Sequence, residues 1–382
     1  MNRIFETTME LRSESGRRDF LKSTARGVAA AGIMLSAAPG ESAPAAALTR
    51  EDKLKRIASN CWSCRYLFKQ RSFPRSGQMT EEQQKRMAQA QQERDQWKKK
   101  YGELTLLDFP QFSRNTYAGL TKIDLFSGFF GDLDDDSQFT VREVGGQKRP
   151  GEFDPSQTSS KRYLDRLADR MVKAGVYGKH ISNNAPRNLA EPDDQMRKEG
   201  VQVGKYWLDA AKQIGCMSMR CNTGGPQIIP PAEIDPKLGY PGNTKVVPYL
   251  EAAIASFKEL ADHAEKVGVK VTIENHWGLA ADPMNIRIIL NAVNSPYCVA
   301  SPDFCNWEHE YMLYNGLEVL APLSSAMVHA KRWTRFPNVD IARCVRIFND
   351  ANYRGYFSVE YEEQDDGVQG SLRIMEEVLA AL

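Results

Sequence analysis

Four side chains in the C-terminal half of this 382-residue sequence have the types and positions to hold a metal ion. Each is the first ligand-type residue at or near the end of a short apolar run. The runs are Val271-Thr272-Ile273-Glu274, Ala300-Ser301-Pro302-Asp303, Met327-Val328-His329 and Phe357-Ser358-Val359-Glu360. Three carboxylates and an imidazole brought together would repel one another unless a cation joined them. Oxygen and nitrogen donors without thiolate suit Mn²⁺, Mg²⁺, Co²⁺ or Zn²⁺, and a carboxylate-rich set favours the harder ions. A divalent ion chelating a carbonyl and its neighbouring hydroxyl acidifies the α-carbon proton and stabilises the enediolate left behind. Glu274 and Glu360 then have the chemistry to remove and return that proton. Return to the opposite face is epimerisation, return to the neighbouring carbon is isomerisation, and loss of a β-oxygen is elimination.

Such residues meet only if the chain places them on one rim. They lie about 30 residues apart, the length of one strand–helix unit. Further apolar runs occur at Ile57–Asn60, Thr121–Phe126, Met217–Arg220, Val269–Ile273, Tyr297–Ser301, Ser325–Val328 and Tyr356–Val359, and a strand is expected to end near His180. Helical periodicity lies between them, as in Tyr163, Leu164, Leu167 and Met171, or Leu250, Ile254, Phe257, Leu260 and Ala264. Alternation of this kind builds a parallel sheet wrapped in helices, an α/β fold. In a parallel barrel the ends of the strands converge at the C-terminal mouth.

Composition narrows the function classes. Fifty Lys and Arg against 49 Asp and Glu leave a net charge of +1, unlike a protein that coats phosphate backbones, so no nucleic-acid partner is expected. A hydrophobic fraction of 42% is ample for a large core. No stretch approaches the roughly 20 apolar residues of a membrane span. The segment Gly16-Arg17-Arg18-Asp19-Phe20-Leu21-Lys22 resembles a twin-arginine export signal, and an apolar stretch (Gly27–Ala38) and an alanine-rich segment follow it. The resemblance implies a signal peptide over residues 1–45, passage through the twin-arginine export machinery, a periplasmic or secreted location and a mature domain over residues 46–382. Seven cysteines cannot all pair, and Cys61-x-x-Cys64 lacks a second half at zinc-finger spacing, so the pair reads as structural or incidental. Insertions are expected at 75–105, with a polar solvated helix over Thr80–Tyr101, and at 224–243, rich in proline. Residues 132–160 have the composition of a surface loop.

The Glu274, Asp303, His329, Glu360 order resembles the xylose isomerase-like barrels, specifically the sugar phosphate isomerase/epimerase group. The resemblance implies a (β/α)₈ TIM barrel holding one divalent metal with these four side chains, and a small carbohydrate substrate. Arg335, six residues after His329, matches an arginine that contacts substrate oxygens in ketose epimerases. Asn306 stands where those enzymes usually carry a substrate-binding histidine; it can hydrogen-bond a hydroxyl but cannot titrate. Lys331, His276, Trp307 and His180 are further expected substrate contacts, while His263 and His309 look partnerless. The expectation is a metal-dependent sugar isomerase or epimerase. The alternatives are a lyase or dehydratase acting on a 3-keto-glycoside or inosose, and a non-catalytic carbohydrate-binding barrel. A homo-oligomer is compatible with all three.

Overall fold

The computed structural model describes residues 48–70, 80–144, 146–225, 246–363 and 365–382. The expected export signal and nearly all of the insertion at 224–243 lie outside the described residues. Two strands open the barrel, β1 (Ile57–Asn60) and β2 (Lys122–Phe126). An antiparallel pair follows, β3 (Phe139–Val144) and β4 (Gln147–Phe153). The barrel resumes with β5 (Tyr177–Ser182), β6 (Ser218–Arg220), β7 (Lys270–Ile273), β8 (Cys298–Ala300), β9 (Met327–Arg332) and β10 (Tyr356–Tyr361). Among the described residues the eight barrel strands form one parallel sheet in the order β8-β7-β6-β5-β2-β1-β10-β9. Each apolar run read from the sequence falls on one of these strands, with ends displaced by a few residues at most.

The two edges of the sheet meet where chemistry was expected. Parallel bridges join Ala300 to Ser324 and Asp303 to His329. The His329 amide donates to the Pro302 carbonyl at 3.0 Å, and the Phe304 amide donates to the His329 carbonyl at 3.1 Å. The row of strands thereby curls into a (β/α)₈ barrel whose seam is made by two expected ligands.

The helices form for local reasons. The helix Thr158–Ala174 turns Tyr163, Leu164, Leu167 and Met171 inward and stops at Gly175, whose φ of +65° is open to glycine at no steric cost. Aspartates cap the helices that begin after Asp193, Asp282, Asp340 and Asp366, each accepting a backbone N–H of the first turn. The polar helix over Glu81–Tyr101 forms as expected, its Tyr101 hydroxyl donating to Asp366 at 2.7 Å. All seven cysteines are buried and free, and Cys61 Sγ accepts from the Phe126 amide at 2.9 Å.

Residues 132–160 depart from the expected loop by folding the β3–β4 hairpin. Aspartate, glycine and proline hide its alternation, but Phe139 and Phe153 are register partners whose rings meet at 6.1 Å. Phe153 packs in turn on Tyr163 and Trp207. Tertiary burial of two aromatic rings outweighs a loop-like composition. Trp207, buried on the helix Asp194–Gln213, also meets Phe130 edge-on at 5.3 Å. Trp207→Ala is expected to lower unfolding stability by about 3–5 kcal/mol in a denaturant titration, because it empties the joint between hairpin and barrel.

Candidate active site

Each barrel strand carries a polar residue at or just beyond its C-terminal end, and many of these touch one another. Asn60 ends β1, Asp124 lies on β2, Ser182 ends β5 and Arg220 ends β6. Glu274 follows β7, Asp303 follows β8, His329 and Lys331 share one face of β9, and Glu360 lies on β10. All of them are buried. Buried charges must be paired, and the pairs here are direct.

Arg220 Nη1 donates to Glu274 Oε2 at 2.6 Å, while its other nitrogens donate to the Asn183 carbonyl and Asn184 Oδ1. Glu274 Oε1 accepts from Asn306 Nδ2 at 2.9 Å. Burial alone would raise the Glu274 pKa, but Arg220 and His329 outweigh it and hold the carboxyl well below the carboxylate range. His329 Nε2 lies 3.0 Å from Asp124 Oδ2, and Asp124 is held by Ser182 and Ser358 hydroxyls and by Asn60. Burial opposes a charge on His329, yet Glu274 and the Asp124 hydrogen bond lift its pKa well above the ordinary value. Asp303 behaves oppositely: burial first, helped by the repulsion of Glu360 and Glu274 and only partly offset by Lys331, pushes it up to about 8.

Two atoms remain unsatisfied in this array. Asp303 Oδ2 and His329 Nδ1 are buried without a hydrogen-bond partner; Nδ1 is 3.1 Å from Glu274 Oε2 but poorly aligned with it. Buried polar atoms are nearly always paired, so unpaired ones ask for an explanation. Glu274, Asp303 and His329 present ligand atoms within 4.8 Å of one another. Two carboxylate oxygens and one imidazole nitrogen form a donor set that fits a divalent cation. The Asp124 hydrogen bond on the far nitrogen is the outer-shell support that such a histidine usually has.

The sequence profile of the xylose isomerase-like TIM barrel matches residues 140–378. The chain belongs to that family. Among solved structures, a 3-keto-D-glucoside 4-epimerase from E. coli superposes with a TM-score of 0.53 at 11% identity, covering 84% of this chain and 99% of that one. A D-allulose 3-epimerase from Methylomonas sp. gives a TM-score of 0.50 at 14% identity, covering 71% and 92%. At such identities these likenesses show the fold. None of the curated proteins matches the sequence.

The structure brings together most of the residues expected for the family site. Glu274, Asp303 and His329 converge, and Glu360 lies beside them with Oε1 3.0 Å from Lys331 Nζ and Oε2 accepting from Asn60 Nδ2 at 3.0 Å. Asn306 bridges Glu274 and Lys331, its Oδ1 accepting from Nζ at 3.0 Å. His276 Nε2 is 3.9 Å from Glu274 Oε1, with its ring against Trp277. Other expected contacts stand apart. Trp307 is buried in the core against Gly316, because its indole fills the space a side chain would take there. Arg335 sits on the rim over Trp333 and Phe336, bonded to the Glu308 carbonyl. His180 lies fully buried near His329, with Nδ1 at 2.9 Å from Ser218 and Nε2 unpaired. His263 and His309 do have partners, Asp209 and the Tyr311 ring.

Asp124, Arg220, Asn60 and Ser182 were not singled out for chemistry in the sequence. Their signal was present: Asp124 and Arg220 are charges inside apolar strand runs, where a buried charge needs a partner. Past the ends of β1 and β2 lies a cavity of about 390 Å³ walled by Trp62, Phe68, Phe126, Phe129 and Tyr163, with none of the charged residues above in its lining. Trp62 and Phe126 lie two residues beyond Asn60 and Asp124 in the chain, and their ring centroids are 4.6 Å apart.

Burial, against partial relief from Asp124, lowers the His180 pKa to about 4. The unfolded imidazole titrates near 6.5, so between these values the unfolded chain binds the extra proton. The His180 contribution to stability therefore rises with pH across this window, while Asp303, pushed up to about 8, contributes in the opposite direction. In urea unfolding the stability of the wild type relative to His180→Gln is expected to fall by up to about 1.4 kcal/mol per pH unit as pH drops across that range, the Asp303 contribution being common to both.

Proposed function

We propose that this protein is a metal-dependent sugar isomerase or epimerase that abstracts a proton next to a carbonyl. The observation that carries the reading is the convergence of Glu274, Asp303 and His329 with two of their buried atoms unpaired, at the mouth where barrels of this architecture keep their chemistry. A divalent ion held there supplies Lewis-acid stabilisation of the oxyanion formed when the proton leaves. The likenesses to a 3-keto-D-glucoside 4-epimerase and a D-allulose 3-epimerase support a carbohydrate substrate.

The chain's own residues divide the work. Arg220 and Asn306 hold Glu274 ionised and oriented, which suits a metal ligand. Asp124, through Nε2, fixes the His329 ring with Nδ1 toward Glu274 and Asp303. Glu360, oriented by Asn60 and Lys331, is the second carboxylate on the rim. In the proposed cycle one carboxylate takes the α-proton and the other returns a proton to the opposite face.

A lyase acting on a 3-keto-glycoside is the second reading. It is favoured by the aromatic cavity past the ends of β1 and β2, whose 390 Å³ lies in the range of small-molecule pockets. The twin-arginine resemblance supports an exported enzyme, for which glycans and glycosides are closer to hand than phosphorylated intermediates.

Glu360→Gln is expected to keep the fold, by circular dichroism, and to lose about 10²–10⁴-fold in turnover, because an amide cannot accept the proton. Incubating the metal-loaded protein with ketoses, inososes and 3-keto-glycosides in deuterated water tests the reading directly. Deuterium at the α-carbon with an inverted or moved centre supports the isomerase or epimerase, and a new unsaturated product supports the lyase. The absence of both exchange and conversion across all three classes, with and without divalent ions, refutes the enzymatic reading.

A further inference from the structure

The family resemblance implies four metal ligands, yet one of the four is engaged elsewhere in this chain. Lys331 and Glu360 are register partners on β9 and β10, and both face the barrel interior. Lys331 is 3% exposed. Its ammonium has three protons to donate. Three acceptors lie in reach: Glu360 Oε1 at 3.0 Å, Asn306 Oδ1 at 3.0 Å and Glu362 Oε2 in close contact. Asp303 Oδ2 is the next oxygen out, at 3.7 Å, and it is the one left without a partner.

The asymmetry between the two carboxylates is the informative point. Both oxygens of Glu360 are engaged by protein donors, Nζ of Lys331 on one and Nδ2 of Asn60 on the other. Asp303 Oδ2 and His329 Nδ1 have charged neighbours but no hydrogen-bond partner. Turning Glu360 toward a cation at the other three residues would strip a buried ammonium of one of its carboxylates, which is costly where water cannot replace it. A fixed positive charge beside Asp303 also repels a divalent ion, so Lys331 weakens the site it adjoins.

We infer that Lys331 withdraws Glu360 from the metal shell, leaving the ion to Glu274, Asp303 and His329 and keeping Glu360 as a separate, lysine-held carboxylate. This inference rests on the metal-dependent reading above. It gives the two functional glutamates different surroundings: Glu274 binds the ion as well as exchanging a proton, while Glu360 stays off the ion, held by Lys331 and Asn60. Lys331 is then a positioning residue rather than a substrate contact.

The test is calorimetric titration of Mn²⁺ into the full chain after chelator treatment, with circular dichroism confirming the fold of each variant. Glu360→Gln is expected to bind Mn²⁺ within about threefold of the wild type, and Lys331→Met to bind it more tightly, since the repelling charge is gone. A loss of about tenfold or more in Glu360→Gln overturns the inference, since even outer-shell partners of a metal usually cost that much when removed. Asp303→Asn is expected to lose at least that much, and Glu274→Gln replaces it as the control should the seam fail to close. A wild type that binds Mn²⁺ and an E360Q variant that does not would sink this inference and leave the metal-dependent reading standing. A folded wild type that binds no Mn²⁺ would sink both.

Discussion

His329 carries two duties that the rest of the structure depends on. Its backbone donates to Pro302 and accepts from Phe304, closing the sheet between β8 and β9. Its ring stands between Asp124 and Glu274, joining the charges of β2 and β7 across the barrel interior. The seam and the charge array are therefore one feature. A barrel closed elsewhere would leave Asp303 too far from Glu274 to share a cation, and an array unpaired would make closure unfavourable by burying naked carboxylates.

The pairing of the array explains the polar residues around it. Arg220 offsets Glu274, Lys331 offsets Glu360 and Glu362, and the imidazole offsets Asp124. Asp303 is the member without a full partner, and burial shifts its proton affinity upward accordingly. Hydroxyls and amides from Asn60, Ser182, Ser358 and Asn306 occupy the remaining directions, so the carboxylates are held in place as well as neutralised. The proposed proton transfer needs this rigidity, because its acid and base must already point at the reacting carbon.

The aromatic wall of the cavity includes Trp62, in the short helical turn that follows β1, and Phe126, the last residue of β2. Aromatic rings of this kind suit the flat carbon face of the proposed carbohydrate substrate. The buried Trp307, expected to meet a sugar, belongs instead to the packing that supports the seam.

Much was legible in the sequence because period and residue type report local physics. Apolar runs of strand length alternating with helical stripes specify the barrel, and polar residues ending those runs mark its mouth. The order Glu274, Asp303, His329, Glu360 could be read in this way with no contact known. The partners could not. Arg220 and Asp124 meet Glu274 and His329 across 54 and 205 residues of chain, and that distance is bridged only by closure of the barrel. The hairpin at 139–153 was hidden for the same reason, its two phenylalanines gaining their value from Trp207. The sequence by itself determined which side chains reach the rim. The tertiary structure decided which of them share a charge, because a buried charge is settled by whatever stands within a few ångströms of it, and only the closed barrel sets that.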